Sequence, residues 1–137
     1  MYTILSAYIK KLLLTDSNIA YAYEYEKSDL EGYPSAIIVP SGFDVEEVDT
    51  ANNFRNFKFD VRIYQEIDQS GRGPSDGERV MRELMDSVLL KFDQDITLGG
   101  NCLENKPVPG RWGWIDRENN IRVAEISVEC LVAINRG

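Results

Sequence analysis

Phe57-Lys58-Phe59-Asp60-Val61-Arg62-Ile63-Tyr64 sets a large apolar side chain at every second position. Successive side chains of a strand point to opposite faces, so Phe57, Phe59, Val61 and Ile63 share one face. Lys58, Asp60, Arg62 and Tyr64 take the other. The spacing predicts a long strand, one of the longest in its sheet.

Downstream, Val80, Met81, Leu84, Met85, Val88, Leu89 and Phe92 recur at steps of one and three, the apolar stripe of an amphipathic helix. Ser75 stands three residues before Glu78, the spacing of a capping box, and Gly99-Gly100 lies beyond the helix end. Upstream, Ile4, Leu5, Tyr8, Ile9, Leu12 and Leu13 form a second stripe, closed by Asp16-Ser17-Asn18.

Between that helix and the central strand, Ile19, Tyr21, Tyr23 and Tyr25 alternate with Ala20, Ala22 and Glu24, the period of a half-buried strand. After the turn-rich Asp29 to Pro34, the branched run Ala36-Ile37-Ile38-Val39 suits a strand covered on both faces. The last segment reads as a hairpin: Val108 to Asp116, a turn at Arg117-Glu118-Asn119-Asn120, then Ile121 to Ile134. In its second arm Ala124, Ile126, Val128, Cys130, Val132 and Ile134 share a face opposite Glu125, Ser127 and Glu129. The whole predicts a single α+β domain over 1–137: one mostly antiparallel sheet with two amphipathic helices packed on one face.

The 137 residues are about one domain's worth, and 43% hydrophobic with 28% charged is an ordinary globular balance. The apolar runs fall far short of the roughly 20 residues that cross a bilayer, so no membrane is implied. The amino terminus lacks a secretory layout, since Lys10-Lys11 follows the apolar residues. Acidic residues outnumber basic ones 23 to 15 for a net charge of −8, which argues against tight binding to nucleic-acid phosphates. There is no histidine, so the Ser–His–Asp and Cys–His nucleophile arrangements and His-containing zinc sites are excluded. Cys102 and Cys130 are the only cysteines, expected as free thiols, with Cys130 a small buried hydrophobe.

Asp44, Glu46, Glu47 and Asp49 read as a solvated acidic connection between strands; Val48 interrupts any EF-hand ligand pattern. Gly71-Arg72-Gly73-Pro74-Ser75 precedes a helix but has no P-loop lysine, and Pro74 lacks a backbone donor. The polar loop from Gln65 to Pro74, with Gly71, Arg72 and Gly73, therefore reads as a protein–protein contact. Trp112 and Trp114 are two apart, hence on one side of a strand, as core or interface or as a stacking platform. No catalytic, cofactor-binding or metal-binding residue is indicated.

The leading helix, the Tyr33-Pro34 entry to Ala36-Ile37-Ile38-Val39, the acidic connection, the alternating strand Phe57 to Tyr64, the amphipathic helix and the long closing strand together resemble the tail terminator (tail completion) proteins of long-tailed bacteriophages. Phage head–tail joining proteins are of similar size. The resemblance implies a structural, non-enzymatic subunit of the virion neck, assembled in the host cytoplasm. It implies a homo-oligomer, a hexameric ring that caps the tail tube protein and stops its polymerisation. The ring's other face would meet the head–tail connector protein, and DNA would pass through without specific binding. Asp44, Glu46, Glu47, Asp49, Glu125 and Glu129 are then candidates to line the channel, where negative walls would repel the DNA backbone, or else they simply face solvent. Two other classes compete: a small carboxylate-based enzyme, with or without a divalent metal, and an acidic monomeric adaptor or inhibitor.

Overall fold

The computed structural model describes residues 1–47, 52–66, 74–116 and 121–135. Helix α1 (Tyr2–Leu14) is followed by strands β1 (Tyr21–Tyr23), β2 (Ser35–Glu47) and β3 (Asn52–Glu66). Helix α2 (Pro74–Gln94) and strands β4 (Glu104–Asp116) and β5 (Ile121–Asn135) complete the chain. The five strands form one sheet in the order β1-β2-β3-β5-β4. Among the described residues β1 and β2 run parallel, and the other three neighbouring pairs are antiparallel.

Both helices lie on one face of the sheet. Leu5, Ile9 and Leu13 of α1 and Met81, Leu84, Met85, Val88 and Phe92 of α2 share a single core with Phe57, Phe59, Val61 and Ile63 of β3. Ala124, Ile126, Val128, Cys130 and Val132 of β5 complete it. The α+β reading and the parity of both long strands hold. β3 and β5 are indeed the longest strands, at 15 residues each.

Several local expectations need correction. Ile4 is 53% exposed: with 3.6 residues per turn it falls beyond the stripe centred on Leu5, Ile9 and Leu13, and Tyr2 packs on the core instead. In β1 the tyrosines do not face the core. Ala22 does, together with Ile19 from the preceding turn, while the Tyr21 and Tyr23 rings stack at 6.4 Å. The sheet is covered on both sides around Ala36 to Ile38, as the branched run suggested, since Ile37 is buried outside the helix-side core. Helix α2 starts at Pro74, a residue suited to the first helical turn because its missing N–H is not needed there. Ser75 is therefore already helical and is not the cap residue, and the Glu78 carboxylate pairs with Arg122 Nε at 2.9 Å. Gln65 and Glu66 are the last residues of β3 and Gln65 is buried, so they are not loop, and β4 begins at Glu104, ahead of Val108.

The largest correction concerns β2, which runs on through Glu47. Asp44, Glu46 and Glu47 are strand residues and not a connection. The pairing of β2 with β3 shifts between Pro40 and Gly42, leaving Ser41 as the extra residue of a β-bulge. An odd insertion reverses the parity beyond it. Phe43 and Val45, opposite Phe57 and Arg55, therefore take the helix-side face, while Asp44 stands opposite Asn56 on the other.

Candidate interaction surfaces

The face of the sheet away from the helices is a lattice of cross-strand ion pairs. Arg62 in β3 reaches Glu26 at 2.5 Å and Glu125 in β5 at 3.3 Å, and Arg111 in β4 approaches Glu125 at 3.7 Å. Lys58 binds Asp44 at 2.7 Å and lies 4.0 Å from Glu129, which also accepts a hydrogen bond from Asn56 Nδ2 at 2.6 Å. The hydrogen bond to Asp44 and the nearby carboxylates outweigh burial and push the Lys58 pKa up.

Three of the proposed channel-lining acids thus lie on the polar face, Glu125 and Glu129 as β5 parity required and Asp44 through the β2 bulge, but each is matched by a cation. Glu46 and Glu47 belong to β2 by their backbone, with side chains outside the described residues. Asp49, Gly71, Arg72 and Gly73 also lie outside them. Among the described residues no group of three or more His, Cys, Asp or Glu is arranged to hold a metal. No helix among them is long and apolar enough to cross a membrane.

The helix side offers two apolar surfaces. A groove of about 670 Å³ runs between α2 and β4. Met85, Leu89, Val108 and Ile126 give it an apolar lining together with Trp112, and Arg82, Asp86, Asp93 and Arg111 are charged groups around it. Trp112 is 43% exposed, and the Arg122 guanidinium, itself held by Glu78, lies 5.7 Å from its ring. Of the tryptophan pair, the structure describes the side chain of Trp112 alone; Trp114 follows in β4 with its side chain outside the described residues.

The second surface is the far end of β2 and β3. Phe43 is 57% exposed and Val45 45%, although both point to the helix side of the sheet. The Arg55 guanidinium is 5.9 Å from both the Phe43 and Phe57 rings, so it bridges the exposed ring and the core one. Its Nε is buried with no acceptor among the described residues. Tyr2 packs edge-on to Phe57 at 4.8 Å and donates its hydroxyl to the Gly42 carbonyl at 2.5 Å, fixing α1 against the root of this arm. Sequence reasoning missed this surface. The alternation Phe43-Asp44-Val45-Glu46 was its signal, hidden by reading the acids as a connection.

Comparison with family models and with curated proteins finds no match for this chain.

Proposed function

We propose that the protein is a ring-forming structural subunit of a phage neck, a tail terminator or head–tail joining protein that caps the tail tube and presents a surface to the head. The observation that carries this reading is the pair of apolar surfaces at opposite ends of one sheet. Phe43 and Val45 stand on the β2 side and the Trp112 groove at the β4 edge. A subunit with two different sticky ends associates head to tail, which closes into a ring when the rotation permits. The layout resemblance supplies the biological setting and the six-membered form.

The enzyme alternative draws no support from the acidic residues whose side chains are described. Asp44, Glu125 and Glu129 are engaged by Lys58, Arg62 and Arg111 on an open sheet face, not gathered in a cleft. Electron microscopy and sedimentation of the purified chain, alone and with polymerised tail tube protein, test the proposal. Six-membered rings, free or seated on tube ends, are expected. A chain that stays monomeric and leaves tube polymerisation unaffected would overturn it.

A further inference from the structure

We infer that the ring contact, on the reading just given, is formed by the β2–β3 arm of one copy seated in the α2–β4 groove of the next. Phe43 and Val45 would fill the apolar lining, and Arg55 would meet Asp86 and Asp93.

Three observations choose a second copy as the occupant. The first is charge. Each chain carries −8, so identical copies repel unless a cation is placed at the contact. Arg55 is such a cation, with neither an ion pair nor a hydrogen-bonded partner among the described residues. At the groove, Asp86, Asp93 and Arg82 are likewise without an ion pair among the described residues, whereas Arg111 is engaged by Glu125, so the unmatched charge there is net negative. Arg55 as a whole is only partly buried, so a carboxylate on a facing copy can pair with its guanidinium in a charge-assisted contact.

The second is chemistry. The arm offers exposed apolar side chains beside an arginine, and the groove offers an exposed tryptophan, the residue types that anchor protein interfaces. The third is the edge itself. β4 is the outermost strand on its side, but Pro107 and Pro109 carry no N–H. Strand addition along that stretch is obstructed, which leaves the groove beside it as the docking place. Within one chain, β5 and β3 separate β4 from β2, so the arm meets a groove only on another copy.

A complementation experiment on the full chain tests the contact. Phe43→Asp disables the arm and keeps the groove; Trp112→Asp with Asp86→Arg disables the groove and keeps the arm. Circular dichroism melts first establish that each variant is folded, which the exposure of all three side chains favours. Sedimentation velocity should show each variant as a monomer, and their mixture as a heterodimer that goes no further. In addition, Arg55→Glu should weaken ring formation by at least about tenfold, and pairing it with Asp86→Arg should recover most of that loss. Rings that persist in both folded variants would overturn the arm–groove contact and leave the ring reading intact. A monomeric wild type would remove the ring reading, and this inference with it. Loss of tail tube protein binding in the full-length Phe43→Asp variant, with no effect of the groove variant on self-association, would also overturn the contact. Should Phe43→Asp fail to fold, Arg55→Glu serves as the arm variant in the same mixture.

Discussion

The Tyr8 hydroxyl donates to Asp95 Oδ2 at 2.5 Å, joining helix α1 to the turn that follows α2. The other oxygen of the same carboxylate accepts the Gly99 N–H at 3.0 Å. Gly99 has φ +67°, and a Cβ there would meet the Tyr8 ring at 2.6 Å. The residue must therefore be glycine on two counts: backbone handedness and the ring above it. Gly99→Ala should cost about 1–2 kcal/mol or more, since it combines a left-handed backbone with a clash. Tyr8→Phe should cost about 1 kcal/mol for the lost hydrogen bond. Urea unfolding measures both; an unchanged midpoint for Tyr8→Phe would show that the bond contributes nothing to stability.

Leu84 is 3% exposed and faces the sheet from α2. Leu84→Asp should abolish cooperative unfolding at ordinary temperature, because a carboxylate buried without a partner costs several kcal/mol, on the order of the whole stability of a domain. Retention of a cooperative melt would show that α2 is dispensable to the core.

Asp16 is buried at the end of α1. Burial alone would raise its pKa. The Ser87 hydroxyl at 2.6 Å, the Asn18 N–H at 3.0 Å and the charge of Lys91 outweigh that effect and hold the pKa below the usual carboxylate value. A depressed folded-state pKa contributes stability that is present above the unfolded value, about 3.9, and is lost as pH falls through the folded one. Asp16→Asn should therefore be less stable than the wild type near neutrality, with the gap narrowing below about pH 4. Urea midpoints at neutral and strongly acidic pH check this; a gap that widens on acidification would refute the assignment.

Glu125 and Glu129 are engaged by Arg62, Arg111 and Lys58. Reversing both to lysine removes these pairs and sets like charges across neighbouring strands. The double variant should lose about 1–2 kcal/mol, more at low salt, where screening is weak. The thermal melt in low and high salt provides the measurement. Equal stability in both would show the lattice to be energetically idle.

Cys102 and Cys130 are buried free thiols beside one another. The Cys102 contact and burial push the Cys130 pKa far up, so this thiol is unreactive in the folded protein. An aromatic disulfide reagent should modify Cys130 only as fast as the protein opens, and promptly in denaturant. Rapid modification of both thiols under native conditions would place them in a mobile region.

Elements with strong local periodicity are legible in the sequence alone. β3, β5 and α2 lie where their spacing puts them, because parity in a strand and the 3.6-residue turn of a helix depend only on neighbours along the chain. The bounds of β2 are not legible. Asp44 and Glu46 resemble a solvent loop by composition, and only pairing with β3 keeps this segment extended to Glu47. Nor is the facing of β1: tyrosine outranks alanine in apolar area, yet Ala22 takes the core side.

By itself the sequence determined the α+β class, the α2 stripe and the α1 stripe apart from Ile4, the core faces of the long strands and the exclusion of histidine chemistry. Tertiary structure alone decided which charges are matched and which are left over. Glu125 finds Arg62 across the β3–β5 pairing, while Arg55 finds two aromatic rings and no carboxylate among the described residues. It also decided that Phe43 and Val45 face the helix side. The reason is physical: one extra residue at Ser41 inverts strand parity beyond it, and such an insertion is defined by the partner strand, not by the segment that carries it.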